Sequence, residues 1–139
     1  MLRQRNVDKK DVKSMYRATA LGNYSSVDFE TKTSVQDPYH LISLLFEKGC
    51  VLLRQAEEQL KKHDSEGFFA STSHAMQIVI GLREILDLEN GGDLAAQLYE
   101  TYTAIGLSLS KARTDQDLES IEKLYTALNE LREGWETIK

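Results

Sequence analysis

From residue 37 onward the apolar positions fall into four stretches with helical spacing, parted by short polar turns. In the first, Leu41, Leu45, Gly49, Leu52 and Ala56 form one stripe at spacings of three and four. Ile42, Phe46, Leu53 and Leu60 form a second stripe beside it. Residues so spaced share a helix face, and a face this wide needs more than one packing partner. Asp37-Pro38 opens the helix: an aspartate caps free N–H groups, and a proline is preorganised for the first helical position. Lys61-Lys62-His63 closes it, where positive charge suits the carbonyl end of the dipole. His63 is expected in solvent there.

Asp64 or Ser65 caps the second helix. Phe68, Thr72, Ala75, Val79, Leu82 and Leu86 keep the period, while Met76, Ile78, Ile80 and Ile85 lie off it. Successive residues diverge by about 100° around a helix, so these cannot all face one core. An N-terminal arm, another subunit or a bound peptide could cover the surplus; a broad core face with one or two ordinary exposed apolars would also account for it. Gly91-Gly92 then breaks the period, since glycine alone adopts left-handed backbone without a Cβ penalty. Asp93 is expected to cap the third helix, which runs to about Arg113 with Ala95, Leu98, Tyr102, Ile105, Leu109 and Ala112 as its stripe. Thr114-Asp115 marks the next turn and cap. Leu118, Ile121, Tyr125, Leu128, Leu131, Trp135 and Ile138 form the last stripe, with Glu119, Lys123, Glu130 and Glu133 on the solvated side. Helices of about 20 residues span about 30 Å and can pack side by side. The expected architecture is all-α: an antiparallel four-helix bundle over residues 37–139, with Trp135 largely buried.

Residues 1–36 differ. Met15, Tyr16, Leu21, Tyr24, Val27 and Phe29 scatter through small and polar residues, and Gly22-Asn23 and Ser25-Ser26 interrupt helix formation. A mobile N-terminal arm with a few apolar anchors is expected, because a fully solvated tail rarely carries so many large apolar side chains.

Composition narrows the function more than it defines it. The net charge is −5, and an acidic surface repels phosphate backbones, so no nucleic-acid partner is expected. Cys50 is the single cysteine and falls in an apolar pattern, so it reads as a buried thiol and excludes an internal disulfide. No apolar run approaches transmembrane length and Met1–Lys10 lacks the apolar core of a signal peptide, so no membrane insertion and a cytoplasmic location are expected. The Glu-x-x-His pairs of a di-metal bundle do not occur, His40 and His74 lack ligand company, and there is no phosphate loop or nucleophile elbow. Hence no catalytic residue, metal or cofactor is expected, and no enzyme activity. Two functions remain: a chaperone or adaptor that binds an apolar segment on its helical faces, or a bundle that self-associates. The surplus apolar positions support both equally.

Three motifs carry a resemblance to a known family. Asp37-Pro38-Tyr39-His40-Leu41-Ile42-Ser43-Leu44-Leu45-Phe46-Glu47 is similar to Ser-Pro-x-x-Leu-Ile-x-Met-Leu-Tyr/Phe-Asp. Leu86-Asp87-Leu88-Glu89-Asn90-Gly91-Gly92-Asp93-Leu94-Ala95 is similar to Leu-Asp-x-Glu-Lys-Gly-Gly-Glu-Ile-Ala. Leu131-Arg132-Glu133-Gly134-Trp135-Glu136-Thr137-Ile138 is similar to Leu-Arg-x-Ala-Trp-x-x-Ile. In this order and separation they resemble the flagellin-specific export chaperones, the FliS family, from near Met15 to Ile138. Two departures stand out. Asp-Gly-Ala reads Glu47-Lys48-Gly49, and Leu-Tyr-Asp-Tyr-Met reads Thr101-Tyr102-Thr103-Ala104-Ile105, with one aromatic lost. Residues 1–14 precede the resemblance and read as an extension or a misplaced start.

The resemblance implies a cytosolic bundle, monomeric or a weak homodimer. It would bind the C-terminal segment of flagellin, prevent premature polymerisation and assist delivery to the flagellar export apparatus. The alternative is a self-associating adaptor with no flagellin client. The client-binding set expected on this basis is Leu41, Leu45, Ile78, Ile85, Leu98 and Tyr102. Leu21 and Tyr24 resemble the apolar-x-x-Tyr element that can lie over a client groove as a latch.

Overall fold

The computed structural model describes Tyr16 and residues 38–138. Four helices follow in order: α1 (Pro38–Lys61), α2 (Ser65–Glu84), α3 (Leu88–Asp115) and α4 (Leu118–Ile138). Connections of two or three residues force consecutive helices to run antiparallel. α1 packs on α2 and α4, and α3 packs on α2 and α4. The four-helix bundle read from the sequence is the observed fold. The arm over residues 1–36, Leu21 and Tyr24 included, and the Asp37 cap lie outside the described residues, Tyr16 excepted.

The double stripe of α1 has the two partners it needs. Leu41, Ile42, Leu45, Phe46, Leu52, Leu53 and Ala56 are all buried between α2 and α4. Gly49 permits this approach: a Cβ there would lie 2.8 Å from Leu128 Cδ2 and 3.3 Å from Ile78 Cγ2. α1 ends as its sequence suggests. His63 takes φ 60°, its N–H donates to Leu60 O at 3.1 Å, and the Asp64 N–H donates to Gln59 O at 2.8 Å. This is the left-handed termination that satisfies orphan carbonyls. Asp64, of the two candidates, caps α2 by accepting from the Gly67 N–H at 3.0 Å.

Two expected boundaries are corrected. α3 begins at Leu88 and not at Asp93, because the Asp87 carboxylate accepts from the Asn90 N–H at 3.2 Å and from the Asn90 side-chain amide at 2.9 Å. One helical turn thus forms ahead of the break. The break itself is where glycine predicted it, at Gly92, with φ 60° and ψ −144°. At the far end α3 runs through Thr114 and Asp115, and the left-handed residue is Gln116. Asp117 opens α4: its carboxylate accepts from the Ser120 hydroxyl at 2.9 Å and from the backbone N–H groups of Ser120 and Glu119, which holds it below the usual range.

The core stripe of α3 is as expected, from Ala95 to Ala112. In α4 the stripe holds at Ile121, Leu128, Leu131 and Trp135, Leu118 is half-buried, and one position moves. Leu124 is buried, while Tyr125 is half-buried with the Arg54 guanidinium 3.8 Å from its ring centroid. Trp135 is buried as expected and donates from Nε1 to the Ser43 hydroxyl at 2.8 Å. Of the surplus α2 positions, Ile78 and Ile85 are buried, Met76 is half-buried and Ile80 is exposed.

Candidate functional site

The interface between α3 and α4 is the sparsest of the four. An open groove of about 380 Å³ runs along it, lined by Thr101, Ala104, Ile105 and Ser108 from α3 and by Leu124, Ala127, Glu130 and Leu131 from α4. Thr101, Ala104 and Ser108 recur at three and four, so the helix turns them to one side of its core stripe. Ala104 and Ala127 keep the facing walls low. The floor is apolar, Ile105 and Leu131 being only 5% and 7% exposed. Glu130 supplies the one charge among the lining residues. Such a trough offers apolar area and few hydrogen bonds, which suits an amphipathic helical segment better than a small polar substrate.

Tyr16 inserts its ring among the helices. Its hydroxyl lies 3.0 Å from that of Tyr102, and its ring meets Trp135 edge to face at 5.8 Å between centroids. Its backbone forms an isolated antiparallel bridge with Leu86. Phe46 lies 6.4 Å from Tyr102, completing an aromatic group. Burial pushes the Tyr16 phenol up to about 12, opposed by the hydrogen bond from Tyr102. Burial also raises Tyr102 well above the ordinary value, with the Tyr16 charge and hydrogen bond adding to the rise. The pair is therefore neutral and serves to bond and pack.

The six residues expected to contact a client are all core residues. Leu45 and Ile78 are 0% exposed, Tyr102 1%, Ile85 3%, and Leu41 and Leu98 5%. Of these, Tyr102 is joined to the Tyr16 anchor, and none lines the α3–α4 groove. Helical periodicity finds buried faces, and a groove flank one position off the stripe gives no apolar signal of its own. The signal that could have found it is the lost aromatic, since the alanine at that place, Ala104, is a groove wall. Among the described residues no cluster of three His, Cys, Asp or Glu could hold a metal, and no helix is long and apolar enough to cross a membrane.

These features define an all-helical bundle with an apolar side groove and an anchored N-terminal aromatic. A family profile described as flagellar protein FliS matches residues 20–139. The chain is 32% identical over 124 residues to the flagellar secretion chaperone FliSB of Pseudomonas aeruginosa, covering 89% of this chain and 98% of that protein. It is 30% identical over 125 residues to the flagellar secretion chaperone FliS of Salmonella typhimurium, covering 89% and 93%. The FliS of Vibrio cholerae is 22% identical over 119 residues, covering 86% and 88%. The chain belongs to the FliS family. That membership supports a role as a secretion chaperone in flagellum biogenesis, and the relatives are named as chaperones, not as enzymes.

Proposed function

We propose that this chain is a cytoplasmic export chaperone that holds the C-terminal segment of flagellin, delays its polymerisation and assists its delivery to the flagellar export apparatus. The observation that carries this is the apolar groove between α3 and α4 in a member of a secretion-chaperone family. A disordered client that folds on binding loses conformational entropy, which lowers affinity per unit of buried area and eases release. No bond in the client is made or broken, so the work needs no catalytic group and no cofactor. The groove takes one helical turn set of the client. The buried set of Leu41, Leu45, Ile78, Ile85, Leu98 and Tyr102 shapes the bundle beneath, and Tyr102 becomes reachable to a client when Tyr16 withdraws.

The arm then acts as a competitor in cis, with Leu21 and Tyr24 as latch residues. The seating of Tyr16 against Tyr102 and Trp135 supports a docked arm. If an arm is docked about 90% of the time, its removal tightens client binding about tenfold. Replacing Leu21 and Tyr24 by Ala is therefore expected to raise client affinity. An unchanged or weaker affinity at equal folded fraction would end the competitor idea.

The test of the main reading is calorimetric titration with a flagellin C-terminal peptide. Binding in the micromolar range or tighter is expected, with a negative heat-capacity change from apolar burial. Ala104→Trp fills the groove from one wall and is expected to weaken binding about tenfold or more, since a well-packed interface tolerates no intruding indole. Ala104 is exposed, so the fold should be kept, as a thermal melt would show. No binding to either form would leave the second reading, self-association. That reading rests on Leu107, 69% exposed at the crown of α3, and on Val51 at 48%, and light scattering tests it.

A further inference from the structure

α2 and α3 meet along a second seam, on the side of α3 away from the groove. Phe69 and Ile80 of α2 stand 37% and 41% exposed there. At one end Arg83 lies 5.1 Å from the Tyr99 ring centroid and donates from Nη1 to the Thr103 hydroxyl at 3.3 Å. At the other end Arg113 lies 5.5 Å from the Phe69 ring centroid. The two guanidinium groups are about 20 Å apart, from the helical rise between Phe69 and Arg83. The Nε of each is buried with no hydrogen-bond partner among the described residues. Arg83 pairs with the adjacent Glu84 at 3.2 Å, whereas Arg113 makes no ion pair among the described residues.

We propose that the α2–α3 seam docks an acidic amphipathic helix of a second protein, its apolar face over Phe69 and Ile80 and a carboxylate at each end on Arg83 and Arg113. Charge complementarity selects this occupant. In a chain of net charge −5, the seam pairs an exposed apolar side chain with an arginine towards either end, Phe69 with Arg113 and Ile80 with Arg83. A guanidinium held over an aromatic ring has already lost part of its rotamer freedom, and its donor fork matches a carboxylate in two bonds. A second copy of this chain fits less well. The outer face of α4 offers Glu119, Glu122, Glu130 and Glu133, but no large exposed apolar residue stands among them. The seam and the α3–α4 groove flank α3 on opposite sides, so this docking leaves the groove free.

The probe is a labelled synthetic helix of about 15 residues, long enough to span the seam. It carries leucines along one face and a glutamate in the first and last turns; a matched peptide carries lysines there. Binding to the full chain is read by fluorescence anisotropy at low salt. The glutamate peptide is expected to bind at least about tenfold tighter than the lysine peptide, and the double variant Arg83→Glu/Arg113→Glu to reverse that order, as paired charges do when both are swapped. Arg113→Gln, which removes a charge that holds no ion pair among the described residues, should weaken the glutamate peptide about threefold or more and serves if the double variant melts early. Ala104→Trp should change nothing. Equal binding of the two peptides, an unchanged order in the double variant, or loss of binding in Ala104→Trp each overturns the proposal. So does a wild-type dimer, abolished by the arginine reversals, that ignores both peptides.

Discussion

Among the described residues, two hold left-handed backbone without being glycine. His63 and Gln116 each stand just past a helix end, at φ 60° and 51°. A Cβ in that region costs roughly 1–2 kcal/mol, and glycine is free of it. His63 is exposed, so its side chain contributes little packing in return. His63→Gly is expected to stabilise the fold by about 1 kcal/mol, measurable as a higher denaturant midpoint at constant slope. The buried titrating groups set an alkaline limit at the same scale. Burial raises Tyr16 from the ordinary 10.0 to about 12, so native packing favours the neutral phenol. Its contribution is full below pH 10 and is lost as pH climbs towards 12. Burial likewise raises the Cys50 thiol from 9.0 to about 11, with Arg132 opposing, so its share is lost first. An alkaline melt should therefore fall in stages, and Tyr16→Phe should flatten the upper one. A fall complete below pH 9 would contradict this account. Residue identity was legible where the period was unambiguous. It was not legible in α4, where Leu124 and Tyr125 are both apolar and adjacent, and only the Arg54 guanidinium over the ring explains why the tyrosine turns outward.

At the scale of elements, one glycine governs how closely α1 approaches its neighbours. Gly49 lets α1 lie against both α2 and α4, and its missing Cβ is the space that Leu128 and Ile78 occupy. Gly49→Ala adds a methyl where neither neighbour has room. A loss of about 1–3 kcal/mol is expected from overpacking, against the gain alanine normally brings inside a helix. A chemical melt decides the sign, and a more stable variant would show that α1 can shift at little cost. The sequence pointed to this place through its departure at Glu47-Lys48-Gly49, but spacing alone could not say what filled the gap. Helix ends were legible where one capper stood alone, as at Asp64. Where Asp87 and Asp93 competed, the earlier won, because it reaches the Asn90 N–H one turn sooner. The glycine break points to a start at Asp93 only when it is given priority over the Asp87 cap.

At the scale of the whole molecule, the bundle was legible because each helix stripe found its neighbours, and the groove was not, because it lies where two helices meet least. A sparse interface is a relation between α3 and α4: Ala127 does not signal it, and Ala104 does so only through the aromatic lost there. Tyr16 was legible as one of several apolar anchors but not where it docks: the scattered anchors carry no period, and its place depends on Tyr102 and Trp135, far along the chain. That anchor has an optical consequence. Trp135 is the single tryptophan, its indole N–H is held by Ser43, and a tyrosine ring leans edge-on against it. Emission from the unlabelled protein therefore comes from one indole in one apolar setting. Undocking Tyr16 strips away that ring and admits water, which moves the emission to the red. If a client displaces Tyr16 as proposed, stopped-flow mixing would time that step directly, with no dye attached to disturb it.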